Sequence, residues 1–191
     1  MTTPVAPHAS GPLAEALADY VPRGATEAAD LARVCALLAT ADPWPRSTPL
    51  HVTASAPIVH PPTRRVLLRW HARQQAWLQV GGHADPGEVD PLAVALREGR
   101  EETGLDDLVP WPDATIVHVV VVPVTASARE PAHEHADVRY LLATDRPDAV
   151  VPEDPAAQLR WLTVAEAYAL TAEPSVHELL ARVDRLFAAA A

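Results

Sequence analysis

Residues 90–104, DPLAVALREGREETG, constrain the chain more than any other stretch, because they carry both a start and a stop. Asp90 suits an N-cap, and Pro91 suits the first helical position, where a missing N–H costs nothing. Gly104 suits the left-handed residue that closes a helix. The spacing predicts a helix over 91–103. On it Glu98, Glu101 and Glu102 stand at i, i+3 and i+4, which at about 100° per residue gathers them within an arc of roughly 100°. One face of the helix is therefore acidic.

Like charges this close repel by a few tenths of a kcal/mol per i,i+4 pair on an exposed helix, and by more when desolvated. Arg97 can pair with Glu101 and Arg100 can reach outward, yet neither neutralises the face. Mg²⁺ or Mn²⁺ would, because hard cations prefer carboxylate and carbonyl oxygens and lean on a substrate's phosphates. An isolated E-x-x-E-E reads as a solvated surface. Here Gly81, Gly82 and Gly87 precede it, and a glycine-rich loop lets backbone approach a ligand closely.

The stretch GGHADPGEVDPLAVALREGREETGL resembles the Nudix box, G-x5-E-x7-R-E-U-x-E-E-x-G-U with U aliphatic. Gly82, Glu88, Arg97, Glu98, Glu101, Glu102, Gly104 and Leu105 carry the match. One extra residue separates Glu88 from Arg97, and Gly99 stands at the first aliphatic position. The extra residue falls in the loop before Pro91, so it leaves the phase of the three glutamates untouched and displaces only Glu88. Gly99 costs up to about 1 kcal/mol of helix propensity relative to alanine, which suggests close packing against a strand.

The resemblance implies a Nudix-type α/β/α sandwich with a mixed sheet, and a pyrophosphohydrolase that splits a nucleoside diphosphate linked to X by attack of water on phosphorus. It implies Mg²⁺, with Mn²⁺ as a substitute, on Glu98, Glu101, Glu102 and the Gly81 carbonyl. Glu98, Glu101, Glu102 and Arg97 become the candidate catalytic residues, with Arg97 orienting the carboxylates and Glu88 bracing the loop. A further acid from outside the box is sought among Glu134, Asp137 and Glu153. The other reading on the same fold is a catalytically silent nucleotide-binding or regulatory module. Such modules lose box carboxylates, which this chain keeps.

In HEHAD, residues 133–137, an extended backbone puts His133, His135 and Asp137 on one face and Glu134 and Ala136 on the other. Zinc is not expected there, with hard-metal chemistry adjoining and no fourth ligand in sight. Phosphate or sugar contact from His133, His135 or Arg139 is the expected role. Trp70 and Trp77, on the strands before the box, are candidates for stacking on a nucleobase, with core packing as the alternative. Trp161 is expected to pack the closing helix.

Around the box, helical spacing marks 13–20 and 26–39, the latter with Leu31, Val34, Cys35 and Leu38 on one face. The proline-rich 42–49 cannot continue a helix. Strand signals follow at 51–59, 65–70 and 76–80, then after the box at 114–124, 138–143 and 159–162. The VVVV of the first of these is the best buried-strand signal. Helices close the chain at 164–170 and 176–187. We read a disordered tail over 1–10, a helical N-terminal extension and linker over 11–48, and the Nudix domain over 49–191, together an α/β (α+β) protein.

The net charge of −10 argues against a broad nucleic-acid surface, which needs a basic stripe. A small nucleotide held through divalent cations remains compatible with it. All 15 basic residues are arginine. The single cysteine, Cys35, is read as a small buried side chain. With no apolar run of about 20 residues and no leader, a cytoplasmic protein without a membrane partner is expected. The N-terminal helices leave a homodimer open. Substrate choice between nucleoside triphosphates and ADP-ribose-like molecules is set by loops outside the motif.

Overall fold

The computed structural model describes residues 11–127 and 130–190, so the expected disordered tail over 1–10 lies outside the described residues. The order is α1 (Pro12–Ala18), α2 (Ala25–Thr40), β1 (Leu50–Ala56), β2 (Ile58–His60), β3 (Arg65–His71), β4 (Ala76–Leu78), β5 (Val80–His83) and α3 (Pro91–Thr103). There follow β6 (Val109–Pro110), β7 (Ile116–Val124), β8 (His133–Tyr140), β9 (Leu142–Ala143), β10 (Leu159–Thr163), α4 (Val164–Leu170) and α5 (Pro174–Ala189).

Two neighbouring segments organise the strands. The expected strand over 51–59 breaks at Pro57, which has no N–H for a ladder, and the strand beside it breaks at Leu141. On one side of the break β1 runs parallel to β8, in a four-stranded sheet ordered β5-β1-β8-β7. On the other, β2 runs parallel to β9, within a sheet ordered β10-β3-β2-β9-β6 with β4 beside β3. Both sheets are mixed, because the remaining pairings are antiparallel.

Alternation along β1 and β8 divides the first sheet into two unlike faces. Val52, Ala54, Ala56, Ala136, Val138 and Tyr140 are buried in one apolar cluster with Val94 and Ala95 of α3, Leu13 and Leu17 of α1, and Val34 and Leu38 of α2. Burying each valine there stabilises the fold by about 1.5–3 kcal/mol. The opposite face carries His51, Thr53, Ser55, His133, His135, Asp137 and Arg139. A second cluster joins Val59, Val66 and Leu68 to Val176, Leu180 and Phe187, and so seats α5 on the other side of the molecule.

Three expectations are corrected here. Of the VVVV run only Val119 is fully buried, and the next three are half-buried, because β7 ends its sheet. Its free backbone N–H groups are instead met by α2, where the Glu27 and Asp30 carboxylates accept from Val119 at 3.2 Å and Val121 at 3.1 Å. Cys35 is exposed, since α2 buries Glu27, Val34, Leu37 and Leu38 and the residue after Val34 turns about 100° away. Trp161 packs against the first cluster and donates its indole N–H to the Pro147 carbonyl at 2.9 Å, away from the closing helix. Among the described residues no helix is long and apolar enough to cross a membrane.

Candidate active site

The helix that carries the carboxylates begins and ends on the expected residues. The Asp90 side chain accepts from Leu92 N–H at 3.0 Å and Ala93 N–H at 3.4 Å, and Gly104 closes α3 at φ 67°. Gly99 sets how closely α3 lies on the sheet. A Cβ there would stand 2.9 Å from Leu108 Cδ1, the end of a flexible side chain, and 3.4 Å from Ala56 Cβ, so the glycine lies in close contact with β1 and Leu108.

Gly81 and Gly82 belong to strand β5, where a loop was expected. Gly82 pairs with Ala54 on the α3 side of the sheet, and a Cβ on it would come within 2.6 Å of the Glu98 carboxyl group. Gly81, at φ 145°, abuts Ser55 and donates its N–H to Glu102 Oε2 at 3.1 Å. The two glycines thus let two of the three glutamates lie against the strand.

Arg97 ties the remaining parts together. Its Nε and one terminal nitrogen grip Glu88 at 2.9–3.2 Å, the other donates to Glu98 at 3.0 Å and Glu101 at 2.8 Å, and the His83 carbonyl accepts at 2.8 Å. Glu88 also accepts from Asp85 N–H at 2.7 Å. The longer interval before Arg97 is taken up in the loop ahead of Pro91, and Glu88 still reaches its partner. The Arg97 hydrogen bonds hold the Glu88 carboxyl below its ordinary range.

Glu98 and Glu102 behave oppositely. Burial pushes both carboxyls up, against the pull of Arg97 on Glu98 and of Arg69 and the Gly81 N–H on Glu102. Arg69, on β3, stands 3.3 Å from Glu102. Nothing in the local sequence pattern marked it, beyond its interrupting the apolar run VLLRW. Two half-buried carboxylates with raised proton affinity, beside the half-exposed Glu101, make a set of hard oxygen donors that a divalent cation fits.

Of the proposed outside acids, only Glu153 lies beside this cluster. Its backbone N–H reaches the Glu102 carbonyl at 3.4 Å, and its charge raises Glu102 further. Glu134 points to the other face of β8 and pairs with Arg33 of α2. Asp137 is buried, held by Arg139 at 2.7 Å and Ser55 at 2.8 Å. Arg139 is itself only 1% exposed and is turned toward Ser175 of α5 and His118, so burial keeps it from a phosphate. Trp77 is buried in the second cluster with Arg160 stacked over it at 4.6 Å, and Trp70 packs beside it; Trp77 therefore has no open face for a base.

His133 and His135 do share a face, as expected, but they meet two residues that sequence reasoning missed. His51 of β1 and His83 of β5 stand against them, with ring centroids of His51 and His135 5.0 Å apart and of His83 and His135 4.8 Å apart. His83 could have been found from the period of two, which places it on the opposite face from Gly82. Burial, helped by Arg46 and the neighbouring rings, holds His83 down at about 3; burial and His51 hold His135 at about 4. Nearby, a cleft of about 840 Å³ opens between the N-terminal segment and the loop 84–89, lined by Leu13, Leu38, Trp44, Arg46 and Glu88 among others.

The sequence profile of the NUDIX domain matches residues 49–183, and the chain belongs to that family. Over 90 residues it is 33% identical to a probable DHNTP pyrophosphohydrolase of Lactococcus lactis subsp. cremoris (strain MG1363), covering 44% of this chain and 50% of that protein. The chain thus spans about half the length of the curated relative it matches. The fold is similar to a C. elegans Ap4A hydrolase in a binary complex (TM-score 0.57, 20% identity, 72% of this chain and 98% of that one). It is also similar to the E. coli dihydroneopterin triphosphate pyrophosphohydrolase (TM-score 0.51, 20% identity, 70% and 92%). At such identities the likeness is one of fold.

Proposed function

We propose that this protein is a divalent-metal-dependent hydrolase of a phosphoanhydride bond in a nucleoside diphosphate linked to X. The observation that carries the reading is the convergence of Glu98, Glu101 and Glu102 on one face of α3, two of them seated against side-chain-free backbone at Gly81 and Gly82. Glu98, Glu101, Glu102 and the Gly81 carbonyl would hold Mg²⁺ or Mn²⁺, which when bound supplies charge neutralisation and a more acidic water. Arg97 fixes Glu98 and Glu101 from one side, and Arg69 fixes Glu102 from the other. Glu153, adjoining Glu102, is the outside acid that this arrangement supports.

Base recognition is better served by the cleft beside the loop 84–89 than by Trp70 and Trp77. Trp44 and Leu13 give it an apolar wall and Arg46 a cation. The names of the relatives and structural neighbours make dinucleoside polyphosphates and pterin triphosphates substrates to try beside nucleoside triphosphates and ADP-ribose. The test is hydrolysis of that panel with Mg²⁺ by wild type and Glu102→Gln. At least one member should be cleaved, with a large loss in the variant; no cleavage at micromolar enzyme, or an equally active variant, would overturn the reading.

A further inference from the structure

The histidines on the face of the sheet opposite α3 are arranged as ligands. His51 Nδ1 lies 2.8 Å from the Thr48 carbonyl oxygen, and His133 Nδ1 lies 2.9 Å from that of Pro131. A carbonyl can only accept, so each of these neutral rings carries its proton on Nδ1 and presents a bare lone pair at Nε2. Those lone pairs point inward, His51 Nε2 at 3.0 Å from His83 Nε2 and His133 Nε2 at 3.1 Å from His135 Nε2. Metal-ligating histidines are commonly oriented in this way, by an Nδ1–H bond to backbone.

The nitrogens are also near the right separation. Two ligands at the usual zinc–nitrogen distance around a tetrahedral centre lie about 3.3 Å apart. Both inward pairs stand close to that value, and one ring nitrogen from each of His51, His133 and His135 lies within 4.8 Å of the other two. The three residues sit on the adjacent strands β1 and β8, with His51 opposite His135, and His83 stands beside them on β5 opposite Thr53. Strand-borne ligands are held more precisely than ligands on loops. His51 is fully buried, while His83, His133 and His135 are partly open, which leaves an entry path.

We propose that His51, His133 and His135 form a second metal site, for a borderline transition ion of the Zn²⁺ kind, distinct from the carboxylate cluster on α3. Imidazole suits zinc and its neighbours in the first row, whereas carboxylate and carbonyl oxygens suit magnesium, so the two faces of the sheet sort their ions by donor type. Three charged groups act on these rings, Arg46 opposing a cation and Asp137 and Glu130 favouring one. The third histidine that HEHAD lacks as a sequence, His51, is supplied across the strands, and the fourth position is left for water or another small ligand.

The site also touches the active-site scaffold. His83 Nε2 lies 3.0 Å from His51 Nε2 and the His83 carbonyl accepts from Arg97 at 2.8 Å, so an ion on His51 bears on the strand that carries Gly81 and Gly82.

Chelator-treated full-length protein should be titrated with Co²⁺, followed by competition with Zn²⁺. One equivalent of cobalt should develop the intense visible ligand-field absorption of a tetrahedral nitrogen site, and Zn²⁺ should bleach it. The band should persist in Glu101→Gln and Glu102→Gln, while His133→Ala/His135→Ala should weaken binding by more than about 100-fold. Should the double variant unfold, histidine ring nitrogen shifts of the wild type on adding Zn²⁺ must move at His51, His133 and His135. A missing tetrahedral band, or one abolished by Glu102→Gln and kept without His133 and His135, would overturn the site. Either result is independent of the hydrolase reading, which is tested with Mg²⁺ and nucleotides alone.

Discussion

Glu98 occupies the space that a side chain on Gly82 would fill. A Cβ there would stand 2.6 Å from the Glu98 carboxyl carbon and from both of its oxygens. The clash falls on the far end of a flexible side chain, so the fold can absorb it by moving the carboxylate. Gly82→Ala should therefore lower turnover by about 100-fold, as misplacements near 1 Å do, while the thermal midpoint shifts by only a few degrees. Steady-state kinetics paired with a melting curve would check this, and a variant with normal turnover would show that the position of Glu98 is immaterial.

Gly81 fails differently. Its φ of 145° is one that L side chains rarely adopt, and a Cβ would meet Ser55 Cα at 2.5 Å and the Ala54 carbonyl at 2.8 Å. Backbone cannot step aside as a carboxylate can. Gly81→Ala should cost about 3 kcal/mol or more of stability, read as a lower urea midpoint, before any effect on chemistry is considered.

Arg97 uses Nε and both terminal nitrogens for different partners on α3, on the loop before it and on β5. A lysine is a point charge without the planar fork. Arg97→Lys should retain the fold, lose activity by about 100-fold, and release Glu88 so that the loop 84–89 becomes the first site of proteolysis. Equal protease resistance in wild type and variant would remove Glu88 bracing from the account.

Trp44, if it forms the wall for a base, makes the same contact in ground and transition states. Trp44→Ala should then raise KM by about 10-fold and leave kcat nearly unchanged, the mark of uniform binding. A fall in kcat at constant KM would place the base elsewhere.

The parts of the site legible in the sequence are those with short-range causes. Asp90, Pro91 and Gly104 fix α3 within one segment, and the phase of Glu98, Glu101 and Glu102 follows from helical geometry alone. The glycines misled because two of them in four residues of β5 carry no strand propensity, and the strand exists only through its pairing with β1. Glu134 misled because alternation says which residues share a face without saying which face bears the site. Arg69, His51 and His83 act across strands. The histidines' partners follow from ladder register and that of Arg69 from the packing of α3 against the sheets, neither of which a local window encodes.

The same holds for the ion pair that joins the N-terminal helices to the closing one, and its pH dependence can be worked out. Glu27 and Arg182 are buried, 2.9 Å apart, with Tyr20 and the Arg23 and Val119 N–H groups also on the Glu27 carboxylate. Burial pushes Glu27 up, but Arg182, Tyr20 and the two backbone donors win and hold it at about 2, against an ordinary 4.5. The folded value is depressed, so this contribution is complete above 4.5 and is lost as pH falls toward 2. His118, 3.9 Å from Glu27, is held by burial and by Arg139 and Arg182 at about 3, against 6.5. Unfolded chains take up that proton first, so its contribution too is lost on acidification, from 6.5 downward. Tyr20 is pushed by burial and Glu27 to about 12 from 10 and acts at the other end, losing its contribution as pH rises between those values. Urea midpoints should therefore fall steadily from pH 6.5 to 3. Arg182→Met, which leaves Glu27 buried without its cation, should cost about 3–5 kcal/mol at pH 7. Glu27→Gln/Arg182→Met should recover part of that loss and flatten the acid limb. If the double variant is no more stable than the single one, the cost lies in packing around the arginine stem and the charge pair contributes little.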